Sequence, residues 1–314
     1  MISSYSIFKF VARLAARVLP ASWMTDKSLF LIWEQKGAHI TPVHFGEPAP
    51  DTRELKDELW ARPSAMIGIE MPDEEQLDLL SQLASTYRSE YERFPAEPTA
   101  SPSRYYLNNG MYLSADAEIL YCLVRRLKPK RVLEIGSGFS TRLTAQAILK
   151  NREETGRDCE LIAVEPYPDE ILRAGFPGLG RLIEAKAQDL PFSEVERLEE
   201  NDILFIDSSH ILNLGGDVQC EYLEWLPRLK PGVVVQVHDI FLPCQYPKAW
   251  AKEYFVFPNE QYLLQAFLAF NDRFRVLWAA NYMSVNHPDQ LEKAFPSYRR
   301  GGESPRSFWF KRVR

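Results

Sequence analysis

Arg131-Val-Leu-Glu-Ile-Gly136-Ser-Gly138-Phe-Ser140-Thr141 is the stretch on which the fold is decided. Val132 to Ile135 is a short apolar run of the buried-strand type. The glycines behind it let the backbone turn sharply and approach a ligand that a Cβ would hit. Ser140 or Thr141 can cap a helix over Arg142 to Lys150, leaving free N–H groups over the glycines for an anionic group. Strand, glycine turn and helix in this order predict a nucleotide-like ligand on a parallel sheet. Such a turn also arises for steric reasons alone, so its meaning depends on the strands that follow.

The next strand, Leu161 to Val164, ends at Glu165. An acidic residue there can accept hydrogen bonds from both hydroxyls of a ribose, or it is a solvated loop carboxylate. A third strand, Arg181 to Ala185, leads to Gln188-Asp189, where Asp189 either reaches the base of the ligand or shapes a turn before Pro191. Asp202 to Ile206 runs into Asp207-Ser-Ser-His210, and Val233 to Val237 runs into His238-Asp239. Ligands of open parallel sheets bind beyond the carboxyl ends of the strands. Asp207, His210, His238 and Asp239 are therefore expected in one crevice if strands four and five flank the first. The predicted fold is a doubly wound, Rossmann-like α/β domain with a mostly parallel seven-stranded sheet.

Glycine loop, Glu165, Asp207 after strand four and His238-Asp239 after strand five resemble, in this order, the class I S-adenosylmethionine-dependent methyltransferases. More narrowly, Phe205-Ile-Asp207-Ser-Ser-His210 and Pro231-Gly232-Val-Val-Val-Gln-Val-His238-Asp239 are similar to the metal-assisted small-molecule and sugar O-methyltransferases. The likeness spans roughly Tyr105 to Phe310. Ser140 departs from it, standing where many relatives have a third glycine, and so does His238, where an acidic residue is common. The resemblance implies S-adenosylmethionine as cofactor, held by Glu134, Gly136, Ser137, Gly138, Glu165, Asp189 and Asp207, with Glu134 facing its amino group. It also implies Mg2+ or another divalent cation on Asp207, His238 and Asp239.

The residue types suit that chemistry. Methyl transfer to oxygen is an in-line displacement in which the acceptor loses a proton, and alcohols are poor nucleophiles at neutral pH. Carboxylates such as Asp207 and Asp239 are hard ligands for a cation that lowers the acceptor's pKa. His210 is the predicted general base, with Asp207 beside it, and His238 is either a further ligand or an orienting group. Without a metal the same groups still form a base and its carboxylate partner. The plain alternative makes Asp207 an N-cap for a helix containing Leu212. A nicotinamide-dependent oxidoreductase would also use the glycine turn and Glu165, but it leaves Asp207 and Asp239 unexplained. A noncatalytic binding protein on the same sheet is the third reading.

Composition points to a globular enzyme: 314 residues, 46% hydrophobic and 12% aromatic, enough for a large core. A net charge of -6 argues against nucleic acid, so the expected partner is a small-molecule or sugar acceptor. Cys122, Cys159, Cys220 and Cys244 are too scattered for a zinc knuckle or disulfide framework, and a reducing cytoplasm is expected.

Residues 1–103 read as a helical extension with a linker, and residues 104–314 as the cofactor-binding domain. From Ile7 to Leu19, apolar residues Ile7, Phe8, Phe10, Val11, Leu14, Ala15, Val18 and Leu19 recur at helical spacing beside a basic row, Lys9, Arg13 and Arg17. This amphipathic helix is too often interrupted by charge to span a membrane; it is either an ordinary docking helix or subunit contact, a second copy included, or it rests on anionic lipid. Pro42 to Arg53 reads as loop, Asp73 to Tyr91 as helix, and Pro95 to Pro102 as linker. Asn109-Gly110 marks a tight turn, and Ser114 can cap a helix carrying Ile119, Leu120, Leu123, Val124 and Leu127 up to Pro129. Tyr105, Tyr106 and Tyr112 either cover the ligands or pack with wet hydroxyls. Phe241 to Pro247, with Trp250 to Phe257, is expected to be a substrate-facing loop. Asn259-Glu260 can cap a helix over Gln261 to Phe270. Phe274 to Ala279 and Ser307 to Phe310 are predicted as an antiparallel edge pair, joined by a polar insert, Asn281 to Pro305, that either adjusts acceptor choice or merely connects.

Overall fold

Short β-branched and aliphatic runs, joined by aromatic residues in β6 and β7, give seven strands: β1 (Arg131–Ile135), β2 (Glu160–Val164), β3 (Arg181–Ile183), β4 (Ile203–Ile206), β5 (Val234–Val237), β6 (Phe274–Ala279) and β7 (Phe308–Arg312). The computed structural model describes residues 4–314, with side chains from Lys9 onward. One sheet holds all seven strands in the order β3-β2-β1-β4-β5-β7-β6. Neighbours from β3 to β5 are parallel, and β7 pairs antiparallel with both β5 and β6. The predicted edge pair forms, with β7 inserted between β5 and β6.

Chain order reverses at β1, which lies between β2 and β4, and this is where a crevice opens in a doubly wound sheet. Register fixes what faces it. Ile135 pairs with Val164 on one side and Ile206 on the other, and Ile206 pairs with Val237. The next residues along these strands, Gly136, Glu165, Asp207 and His238, therefore leave the sheet at one rim.

The principal helices are α1 (Ser4–Val18), α2 (Asp73–Tyr91), α3 (Asp116–Leu127), α4 (Phe139–Thr155), α5 (Glu260–Leu268), α6 (Ala280–Asn286) and α7 (Pro288–Ala294). Alternate strand residues serve opposite faces. Val132, Ile203, Phe205 and Val234 join Leu83 of α2, Ile119 of α3, Leu143 of α4 and Leu291 of α7 in one core. Leu133, Leu204 and Val235 join Tyr222, Trp225 and Leu264 of α5 in the other. Each such buried aliphatic side chain is worth about 1.5–3 kcal/mol.

Packing moves several sequence boundaries. α4 begins at Phe139, a turn before the predicted start, so Ser140 and Thr141 lie inside it. Ser114 does not cap α3; its hydroxyl donates to Glu118 Oε1 (3.1 Å). The insert between the last strands is no mere connection, because Leu291 and Phe295 are fully buried against α2 and α3. Phe241 and Leu242 are likewise buried, and the expected substrate loop packs its aromatics on Tyr246 and Trp250. α2 spans the predicted residues and shares the core of the sheet. Among the residues whose side chains are described, none before Met66 is buried. Ile7 and Phe8 of the predicted amphipathic stripe lie outside those residues. No described helix is long and apolar enough to cross a membrane, and all four cysteines are free.

Candidate active site

Gly136 has φ +76°, and a Cβ there would lie 1.8 Å from the backbone oxygen of Asp207. The β1 and β4 strand ends are pressed together, and only glycine fits. Gly138 differs: a Cβ would meet nothing within 4 Å, so the space beside it is open to a ligand. Between them, the Ser137 N–H donates to Glu165 Oε2 (3.2 Å), while the Tyr167 N–H donates to Glu165 Oε1 (2.9 Å). The Gly138 N–H donates to Thr141 Oγ1 (2.9 Å), bracing the start of α4.

Two adjoining cavities share Gly136, Glu165, Asp207 and Ser208 as a common wall. One, about 400 Å³, continues along Tyr167 and Ala185 to Gln188. The other, about 460 Å³, runs from Gly138 and Phe139 to His210, His238, Asp239 and Arg306.

Most predicted site residues meet here, but Asp189 and Glu134 do not. The chain after β3 makes a single 3₁₀ turn, Ala187–Asp189, in which successive side chains point about 120° apart. Gln188 lines the cavity and Asp189 is exposed. Glu134 is fully buried, lines neither cavity, and accepts a 2.5 Å hydrogen bond from Ser140 Oγ. Burial pushes its carboxyl up to about 8 despite that bond and a second from Thr141. Ser140, where a third glycine was expected, is therefore the partner that makes a carboxyl tolerable in the middle of β1.

The four residues of the β4 and β5 ends form a compact cluster. Asp207, His238 and Asp239 each offer a ligand atom within 4.8 Å of the others. His238 Nδ1 lies 3.4 Å from Asp207 Oδ1 and 3.6 Å from Asp239 Oδ1. His210 Nε2 lies 3.2 Å from Asp207 Oδ1 and 3.3 Å from Asp239 Oδ2. Two carboxylates and an imidazole at this spacing suit a divalent ion of mixed oxygen and nitrogen preference. Both His210 (φ +61°) and Asp239 (φ +55°) hold left-handed backbone, a conformation that concentrates where function demands it. Asp207 caps no helix.

Burial opposes the charge on Asp207, but the imidazoles of His238 and His210 outweigh it and hold the carboxyl well below its usual range. Burial likewise opposes the imidazolium of His210, yet Asp207 and Glu260 raise it well above the usual value. For His238, Asp207 and Asp116 overcome burial and lift the ring to about 10.

Three contributors escape a reading of the sequence. Glu260, predicted as a helix cap, is fully buried at the start of α5 with Oε2 2.8 Å from His210 Nδ1. The capping is done instead by the backbone carbonyl of His210, which accepts from the N–H groups of Asn259 (3.0 Å) and Glu260 (3.2 Å). Asp116, in the first turn of α3, lies 3.8 Å from His238 Nε2 and accepts hydrogen bonds from the N–H groups of Arg306 and Ser307. Arg306 places Nε 2.9 Å from Asp239 Oδ1. An acidic residue opening a helix has the same signature whether it serves the helix dipole or a distant histidine.

Residues 133–240 match the profile of a methyltransferase-domain family. An uncharacterized protein of Archaeoglobus fulgidus is 32% identical over 175 residues, covering 53% of this chain and 77% of that protein. The chain belongs to the class I S-adenosylmethionine-dependent methyltransferases. Protein y4gI of Sinorhizobium fredii is 30% identical over 133 residues, 37% of this methyltransferase and 14% of that larger protein. Among solved structures, the plantazolicin methyltransferase BamL is 14% identical with a TM-score of 0.40, covering 77% of this chain and 97% of that one. CalS11, a TDP-rhamnose 3'-O-methyltransferase, is 12% identical with a TM-score of 0.40, covering 78% and 96%. The family assignment does not rest on these distant likenesses. It speaks against the nicotinamide reading of the glycine turn.

Proposed function

We propose that this methyltransferase acts on a hydroxyl oxygen of a small molecule or sugar, with His210 as general base and Asp207, His238 and Asp239 as the site of a divalent cation. The observation that carries the reading is the meeting of those three ligand groups with His210 Nε2 in the cavity that also borders Gly138. An amine or carbon acceptor gives no reason for two carboxylates and two imidazoles to crowd one point.

S-adenosylmethionine supplies an electrophilic methyl carbon on sulfur; its fit is supported by the open space beside Gly138 and by Glu165, whose carboxylate suits ribose hydroxyls. Of the pair Gln188-Asp189 expected near the base, Gln188 is the one that lines the cavity and would meet it. A divalent ion on Asp207, His238 and Asp239 would polarise the acceptor hydroxyl and compete with His210 for the carboxylates that hold its proton. His210 Nε2 accepts the acceptor's proton as the oxygen–methyl bond forms and the sulfur–methyl bond breaks, its electron pair leaving on the sulfur of S-adenosylhomocysteine, and Glu260 at Nδ1 holds the ring in place. Arg306 fixes Asp239 from the opposite side.

The test is release of S-adenosylhomocysteine across a panel of hydroxylated metabolites and glycosides, with and without divalent ions. Turnover on a hydroxyl acceptor, with stimulation by Mg2+ or Mn2+ that Asp239→Asn weakens by at least the roughly 10- to 100-fold that outer partners of metals cost, is expected. Turnover confined to amine acceptors, or indifferent to both chelator and Asp239→Asn, would sink it.

A further inference from the structure

α1 stands apart from the rest of the molecule because its described large apolar side chains are all exposed. Phe10, Val11, Leu14 and Val18 are 69%, 55%, 52% and 68% exposed, and beyond the helix Trp23 and Leu31 are 66% and 64% exposed. Other large apolar side chains of the chain reach the surface, but here they recur along one 15-residue helix. A helix of that length is marginal in water by itself, and an exposed apolar stripe marks a surface that something else covers.

Charge identifies the occupant. The first 25 residues contain Lys9, Arg13 and Arg17 at four-residue intervals and no acidic residue, in a chain whose net charge is -6. Basic residues alongside an apolar stripe, with an exposed tryptophan just beyond, match a helix lying in the plane of a bilayer interface: rings and aliphatic chains enter the acyl boundary while arginines stay at the headgroups. A proteinaceous partner would not require the segregation of positive charge onto this one segment.

We infer that α1 docks this methyltransferase on membrane surfaces rich in anionic lipid. Attachment is peripheral, since no described helix can span the bilayer. The inference is independent of the acceptor and of the metal, because none of these residues lines the active-site cavities.

Sedimentation of the full chain with vesicles tests it, using neutral phosphatidylcholine alone and mixtures in which about one third is phosphatidylglycerol. The full chain is expected to pellet with the anionic vesicles, to be released by salt, and to lose about tenfold or more in partitioning when Arg13→Glu and Arg17→Glu are combined. Leu14→Glu is expected to abolish binding while S-adenosylhomocysteine release from a soluble acceptor continues at the parent rate, which shows that the variant is folded. Equal binding to neutral vesicles, or none to anionic ones, overturns the inference. So does a dimer in sedimentation equilibrium that Leu14→Glu converts to a monomer, since that gives the stripe to a second copy of the chain.

Discussion

His210 and His238 stand on neighbouring strand ends with matching surroundings: each turns one ring nitrogen toward Asp207 and Asp239 and the other toward a buried carboxylate. Their settings nevertheless differ. His238 is 4% exposed, follows β5 directly, and packs its ring against Tyr112 at 4.9 Å. His210 is 15% exposed and sits on a loop with left-handed backbone that costs about 1 kcal/mol or more to hold. A ring clamped by a strand and an aromatic face is suited to hold something still. The less buried ring, on a loop pinned through the start of α5, is suited to exchange a proton with what enters the cavity that both rings border.

The sharpest break in this comparison is between the two alanine variants. His210→Ala is expected to lower methyl transfer roughly 100- to 10,000-fold, the range of a lost general base, with S-adenosylmethionine affinity by calorimetry nearly intact. His238→Ala should instead raise the concentration of divalent ion needed for half-maximal rate, and high ion concentrations should recover part of the activity. If both variants respond alike to added ion, the division of roles between the two rings is wrong.

How much of this was readable follows from which interactions are local. The strand ends, the reversal at β1 and the meeting of Asp207, His210, His238 and Asp239 follow from apolar runs and the rule that parallel strands deliver ligand contacts at their carboxyl ends. Asp189 is exposed while Gln188 lines the cavity, because a single 3₁₀ turn separates neighbours by a third of a revolution, and sequence does not say which of them faces inward. The sequence suggests room for a ligand at Gly136, whereas the contact that excludes a Cβ is the Asp207 carbonyl, 71 positions away. Glu260 and Asp116 were invisible for the same reason: each is 50 or more residues from the histidine it faces, and no local pattern records the pairing.

Those two carboxylates give the second prediction. Asp207 and Glu260 keep the proton on His210, so the basic form grows only as pH rises, and the rate should climb through a limb on the alkaline side of the ordinary imidazole range. Removing one of the two anions weakens the hold on that proton. Glu260→Gln is therefore expected to move the limb to lower pH while cutting the maximal rate about 10- to 100-fold through a less constrained ring. Asp116→Asn should leave the limb where it is and weaken divalent-ion affinity, because its effect reaches the site through His238. A pH–rate profile unmoved by Glu260→Gln would make that residue part of the packing and nothing more.

The smallest effect belongs to a buried carboxyl of β1 that touches neither ring. Glu134 has an ordinary value of 4.5, and in the folded protein burial lifts it to about 8. Below 4.5 the group is protonated in both states and takes nothing from stability. Between 4.5 and 8 the folded protein retains a proton that the unfolded chain has released, so stability falls as pH rises, at up to about 1.4 kcal/mol per unit, and levels off above 8. Glu134→Gln keeps a polar group for Ser140 Oγ and has no proton to lose, so its urea midpoint should match the parent near pH 4.5 and exceed it at pH 8. The rate limb set by His210 should stay in place, since Glu134 is joined to helix α4 and not to the imidazoles. Parallel stability curves for parent and variant across this range would mean that Glu134 is ionised in the fold, and that β1 holds a buried negative charge behind the site in addition to the carboxylates the two histidines balance.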